Sequence, residues 1–129
     1  MRVFLVAALV IYLVEQNPVF APRVEAWLNA HPCELVFSEL VRMESLILPV
    51  RNNDPILVTE FENLIDLTVA EMVELSRTLF DEAVTVRAQY SFKAPDSLHL
   101  AAEVTTACDV FLTNDRRITR FTRIQVEVI

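Results

Sequence analysis

The sequence predicts an α/β fold, a three-layer sandwich built on a mostly parallel sheet of about five strands. Short apolar runs at residues 3–6 and 110–113 read as buried strands. Longer stretches with apolar residues three and four apart lie between such runs and read as helices. A strand that runs at once into a helix, as at the front of this chain, opens a parallel α/β unit. With 129 residues, 53% of them hydrophobic and 22% charged, the chain suits a single domain over 1–129 with one real core.

Each element follows in order. Residues 3–6 form the first strand, and 8–15 a helix with no breaker before Asn17 and Pro18. Residues 21–30 form a second helix, with Pro22 in its first turn and Val24, Trp27 and Leu28 on one face. Trp27 is expected to pack rather than stack on a ligand. Residues 34–37 form a strand, and Ser38 caps a helix to about Leu48 that Pro49 helps to end. Its apolar positions include Leu40, Val41, Ile47 and Leu48. Asn53, Asp54 and Pro55 start the next helix, with Phe61, Leu64 and Ile65 on its buried side. A strand with vague edges falls within 69–75.

Ser76 caps a helix through Gln89 whose apolar side holds Leu79, Phe80, Ala83, Val84 and Val86. After a loop, Pro95 opens a helix with Leu98, Ala101, Ala102 and Thr105 at helical spacing. Residues 110–113 are the clearest late strand. A short helical turn with an arginine pair and a closing strand at 125–129 complete the chain.

Composition narrows the function. A net charge of −7 argues against a general nucleic-acid coat, which would be basic, but allows RNA handling through a local basic patch, or a partner with a basic segment. The chain has no glycine, so phosphate loops of the Rossmann and P-loop kinds are absent. Left-handed turns must use other residues, with Asn29, Asn53 and Asn114 as candidates. The apolar run 3–14 is shorter than the roughly 20 residues of a membrane span. No membrane association and a cytoplasmic location are expected. Cys33 and Cys108 read as buried thiols rather than a disulfide. Together with His31 and His99 they lack zinc-ligand spacing.

Three acids keep unusual company. Glu44 lies one and a half turns into the helix capped by Ser38, among apolar residues. Asp96 follows Pro95 at a helix start, where free backbone N–H groups favour its charge. Asp115 follows the strand at 110–113, at the carboxyl end where ligands gather in a parallel sheet. Carboxylates brought together repel one another, and a hard divalent cation relieves that repulsion. Such an ion can also orient a water and lower its pKa. Arg116, Arg117, Arg120 and Arg123 form the dense basic cluster beside Asp115 and could hold phosphates. Thr113 and Asn114 could hydrogen-bond to a metal water or a phosphate, or fix the turn.

The stretches LVAALVIY (5–12), SELVRME (38–44), APDSLHLAA (94–102) and CDVFLTNDRR (108–117) resemble PIN domains, most closely the VapC-like toxins of bacterial type II toxin–antitoxin pairs. The resemblance covers essentially the whole chain. It implies a Mg²⁺- or Mn²⁺-dependent endoribonuclease that forms a homodimer and is neutralised by a small antitoxin. It also implies that Glu44, Asp96 and Asp115 are metal-binding and catalytic. Thr113 and Asn114 match the polar residues before the last acid, and with Arg116 and Arg117 they are assigned to substrate. The pattern's first aspartate and the small polar residue two places later fall on Val6 and Ala8, which offer no metal-binding oxygen. Losing a carboxylate contact of a few kcal/mol lowers metal affinity by about 10- to 100-fold or more. Two expectations follow: a ribonuclease weakened at its metal site, or a catalytically degenerate PIN-like fold that serves as a binding or regulatory module.

Overall fold

Residues 1–129 are described by a computed structural model. Strand β1 (Arg2–Leu5) leads into helices α1 (Ala7–Val14) and α2 (Phe20–Ala30). Strand β2 (Glu34–Ser38) leads into α3 (Glu39–Arg51) and α4 (Pro55–Thr68). Strand β3 (Val69–Val73) precedes α5 (Arg77–Tyr90) and α6 (Ala94–Thr106). Strand β4 (Val110–Thr113), a 3-10 turn (Arg116–Arg120) and β5 (Val126–Val128) close the chain.

The strands form one sheet in the order β3-β2-β1-β4-β5. Every pairing is parallel, so the sheet is parallel throughout rather than mostly so. Phe4 of β1 stands in register with Val36 on one side and Phe111 on the other. From β1 the chain first steps outward through β2 and β3, then returns to add β4 and β5. Right-handed crossovers therefore put α1–α4 on one face and α5–α6 on the other. The direction reverses between β1 and β4, and a crevice opens outside the carboxyl ends of strands at such a switch point.

The core explains why the central strands are almost wholly apolar. Val3, Phe4, Leu5, Val36, Phe37, Phe111 and Leu112 are buried, covered by helices on both faces. Phe4 and Phe111 stack with centroids 5.4 Å apart. Ser38 ends β2 and caps α3, its hydroxyl accepting from the Val41 N–H at 3.2 Å. Asp54 and Ser76 cap α4 and α5 in the same way.

Several local expectations are corrected. Pro49 lies inside α3, which runs on to Arg51; a proline this close to the helix end removes one hydrogen bond without stopping the last turn. Left-handed backbone occurs at Asn53, as expected, but otherwise at Gln16, Ser91 and Ala107 rather than at Asn29, which is helical, or Asn114. Ile47 and Leu48 of α3, and Phe80 and Val84 of α5, are exposed. Those helices carry more apolar residues than one buried stripe can take; Leu40, Val41, Leu79, Ala83 and Val86 are buried as expected, and Leu46 joins them. Trp27 packs, stacking on His31 and donating its indole N–H to Glu127 at 2.6 Å. Cys33 and Cys108 are free and half-buried. No helix is long and apolar enough to cross a membrane.

Candidate functional site

A cleft of about 150 Å³ lies at the carboxyl ends of the central strands. Val6 and Ala8 line it from the β1–α1 junction, Glu44 from α3, and Asp96 and His99 from α6. Thr113, Asn114 and Asp115, which follow or end β4, complete that wall. Residues remote in sequence meet there because β1 and β4 are neighbours and α3 and α6 approach each other over their ends. The three acids singled out in the sequence thus face one cleft.

Each acid has a different setting. Asp115 caps the 3-10 turn: its Oδ1 accepts from the Arg117 backbone N–H at 2.9 Å. The Arg117 guanidinium grips the same carboxylate, with Nε 3.0 Å from Oδ1 and Nη2 2.6 Å from Oδ2. This fork holds the Asp115 carboxyl below the usual carboxylate range. The Asp115 backbone N–H donates to the Thr113 hydroxyl at 3.1 Å. Asn114 donates its amide to the Tyr12 hydroxyl at 3.2 Å. Both polar residues therefore fix the turn that presents Asp115.

Glu44 meets the side chain of His99, with Nε2 2.5 Å from Oε1. An ionised carboxylate can only accept, so Nε2 carries the hydrogen. His99 is buried, and its Nδ1 has no partner. Asp96 lies in the first turn of α6 and joins no salt bridge. The helix start favours its charge.

In kind, three carboxylates suit a hard divalent cation. As the side chains stand, no three of the acids, histidines and cysteines form a ready-made metal cluster. Two of the three carboxylates are engaged by protein side chains, the Arg117 guanidinium and the His99 imidazole. Val6 is extended at the N-cap of α1 and makes no side-chain cap, so an apolar group stands where a carboxylate could both cap α1 and face the acids.

Among the arginines, Arg117 clasps Asp115; both Arg116 and Arg117 are exposed, and neither lines the acid cleft. Arg123 pairs with Glu82 at 2.6 Å. The role of His99 beside Glu44 was missed in the sequence. Its position three residues after Asp96, on the same helical face, was the available signal. The fork of Arg117 on Asp115 had no such signal, because it depends on the 3-10 turn that folds residue 117 back over residue 115.

The sequence pattern of the PIN domain matches residues 3–124. No curated protein matches the chain. Among solved structures, it is similar to a toxin–antitoxin complex from Klebsiella pneumoniae, at 17% identity over 98% of this chain and 96% of that one, TM-score 0.77. It is also similar to VapBC2 from Rickettsia felis, determined bound to a fragment of its promoter DNA, at 12% identity over 100% and 99% of the two chains, TM-score 0.78. A third similar structure is VapC20 from Mycobacterium tuberculosis, described as a toxin that cleaves the sarcin–ricin loop, at 12% identity over 84% and 86%, TM-score 0.70. At these identities the likeness establishes the fold.

Proposed function

The chain belongs to the PIN domain family, and on that premise we propose that it is a metal-dependent endoribonuclease of toxin–antitoxin type, weakened at its metal site by Val6. The observation that carries this reading is the meeting of Glu44, Asp96 and Asp115 in one cleft at the switch point of the sheet. The sarcin–ricin activity of the similar Mycobacterium tuberculosis toxin supports RNA as the substrate.

In this reading Glu44, Asp96 and Asp115 hold one Mg²⁺ or Mn²⁺. When bound, the ion supplies charge neutralisation at the phosphodiester and a water of lowered pKa. To hold the ion, Glu44 and Asp115 would have to release His99 and Arg117. Thr113 and Asn114 keep the turn after β4 in place. Arg116 and Arg117 hold substrate phosphates, and Arg117 is free to do so once it leaves Asp115. The reading includes a cytoplasmic homodimer and a small antitoxin with a basic segment. The acids of the cleft suit such a segment, and exposed Met43, Ile47 and Val50 on α3 offer apolar surface to a partner. The complexes described for the Klebsiella and Rickettsia relatives support an antitoxin.

Cleavage of single-stranded RNA tests the reading. Purified protein is expected to cut in Mn²⁺ or Mg²⁺ and to stop in chelator, and Asp115→Asn is expected to lower the rate about 10- to 100-fold or more at limiting metal, as loss of one carboxylate contact to the ion does. Cutting that persists in chelator, or that survives Asp115→Asn, contradicts it.

Val6 and Ala8 in the wall of the cleft favour a second reading, a degenerate PIN domain that binds without cutting. Calorimetric Mn²⁺ titration separates the two. The nuclease reading expects weak binding by the wild type and roughly 10- to 100-fold tighter binding by Val6→Asp. A wild type that neither binds Mn²⁺ nor cuts, with both properties restored in Val6→Asp, establishes the degenerate reading instead.

A further inference from the structure

A second pocket, of about 290 Å³, adjoins the acid cleft and shares Asp96 with it. Ser91, Phe92 and Lys93 line it on one side, and Arg117 and Arg120 on the other. Arg117 is matched by the Asp115 it clasps, and Lys93 and Arg120 against Asp96 still leave the pocket locally positive on a chain of net charge −7. A positive pocket on an acidic protein is a local device for an anion, not part of a general basic surface.

Two of its cations are differently prepared. Arg120 is pinned: its guanidinium carbon lies 3.9 Å from the centroid of the Phe92 ring, and Nη1 donates to the Tyr90 carbonyl. A stacked guanidinium keeps its remaining N–H donors pointed outward, with little side-chain freedom left to lose on binding. Lys93, the residue before α6, is exposed and joins no salt bridge. The left-handed backbone at Ser91, with φ of 59°, turns the chain out of α5 so that residues 92 and 93 reach the pocket.

Resting on the nuclease reading, we infer that this pocket holds a phosphate of the RNA strand next to the one that is cut, with pinned Arg120 and unpaired Lys93 as its contacts. The shared Asp96 places it beside the acid cleft, as a neighbouring nucleotide requires. The Phe92 ring is buried and its face is covered by Arg120, so no base can stack on it. The pocket therefore contacts backbone and is indifferent to base identity.

The test is fluorescence anisotropy with a short fluorescein-labelled single-stranded RNA, in EDTA so that nothing is cut, across a salt series. Lys93→Gln and Arg120→Gln are each expected to weaken binding equally for two unrelated sequences. Each is also expected to reduce the slope of log affinity against log salt by about 0.7 to 1, the loss of one phosphate contact. Arg120→Lys keeps the charge and is expected to keep most of the slope. Arg120→Gln also removes packing on Phe92, so Lys93→Gln, which touches no core, decides if that variant folds poorly. An unchanged slope in Lys93→Gln, or no RNA binding by the wild type, overturns the inference. Loss of polyglutamate binding with the RNA slope intact overturns it too, in favour of an acidic peptide. Cleavage of the same RNA in Mn²⁺ is read separately. An intact enzyme with an unchanged slope sinks only the pocket, and a changed slope without cleavage sinks only the nuclease.

Discussion

Val6 concentrates the chemistry of the site in one side chain. It stands at the N-cap of α1, where free backbone N–H groups favour an anion, and its side chain lines the cleft that holds Glu44, Asp96 and Asp115. With valine there the cleft has three acids, and Arg117 and His99 contact two of them. A second residue, Glu103, poses a separate question at the far end of α6. It is fully buried, and both carboxylate oxygens lack a partner. Burial, with Asp109 adding repulsion, pushes its carboxyl up to about 7 from an ordinary value of 4.5. The folded state thus holds this proton more tightly than the unfolded chain. The resulting stability is fully present below about pH 4.5 and is lost as pH rises through about 7. Glu103→Gln stays neutral, and near pH 8.5 it is expected to be about 3 kcal/mol more stable than the wild type. Urea unfolding between about pH 5 and pH 9 checks this; parallel pH profiles for the two proteins contradict it. Asp96 and Asp115 stood out in the sequence because each adjoins a recognisable start or end of an element, and Glu44 because it sits in a helix among apolar residues. Glu103 was not, since the sequence alone does not tell which side of α6 is sealed.

Helix α3 carries Glu44 into the cleft, and its start is fixed by one hydroxyl. Ser38 is buried, and its Oγ accepts the Val41 N–H. Ser38→Ala is expected to cost about 1 kcal/mol and to lower the melting temperature by a few degrees. Thermal unfolding measures it, and an unchanged midpoint argues that the cap does not hold α3. Such caps are written locally, which is why Ser38, Asp54 and Ser76 could be read from the sequence as helix starts. Burial of a given face is not local. Ile47 and Phe80 fit an apolar stripe by spacing, yet both are exposed, because the sheet and neighbouring helices select which stripe turns inward. The edges of β3 were vague for a related reason. As an edge strand it pairs with β2 alone, and it carries Glu71, which pairs with Arg2, so it shows no continuous apolar run.

At the scale of the whole molecule, topology does what no single motif does. The parallel sheet could be inferred from alternating strands and helices, but the strand order was not; its reversal between β1 and β4 puts the carboxyl ends of those strands at one crevice. Which side chains pair inside that crevice depends on the approach of α3 to α6 and on the 3-10 turn, and neither leaves a periodic trace in the sequence. The central claim is that Glu44, Asp96 and Asp115 can share one divalent cation although His99 and Arg117 now engage two of them and Val6 stands beside them. A crystal soaked in Mn²⁺, with data collected for anomalous scattering, tests it most directly. The account predicts one manganese peak in this cleft, in contact with oxygens of those three acids, and Arg117 rotated away from Asp115. A cleft without manganese, its Asp115 still clasped by Arg117, would contradict it.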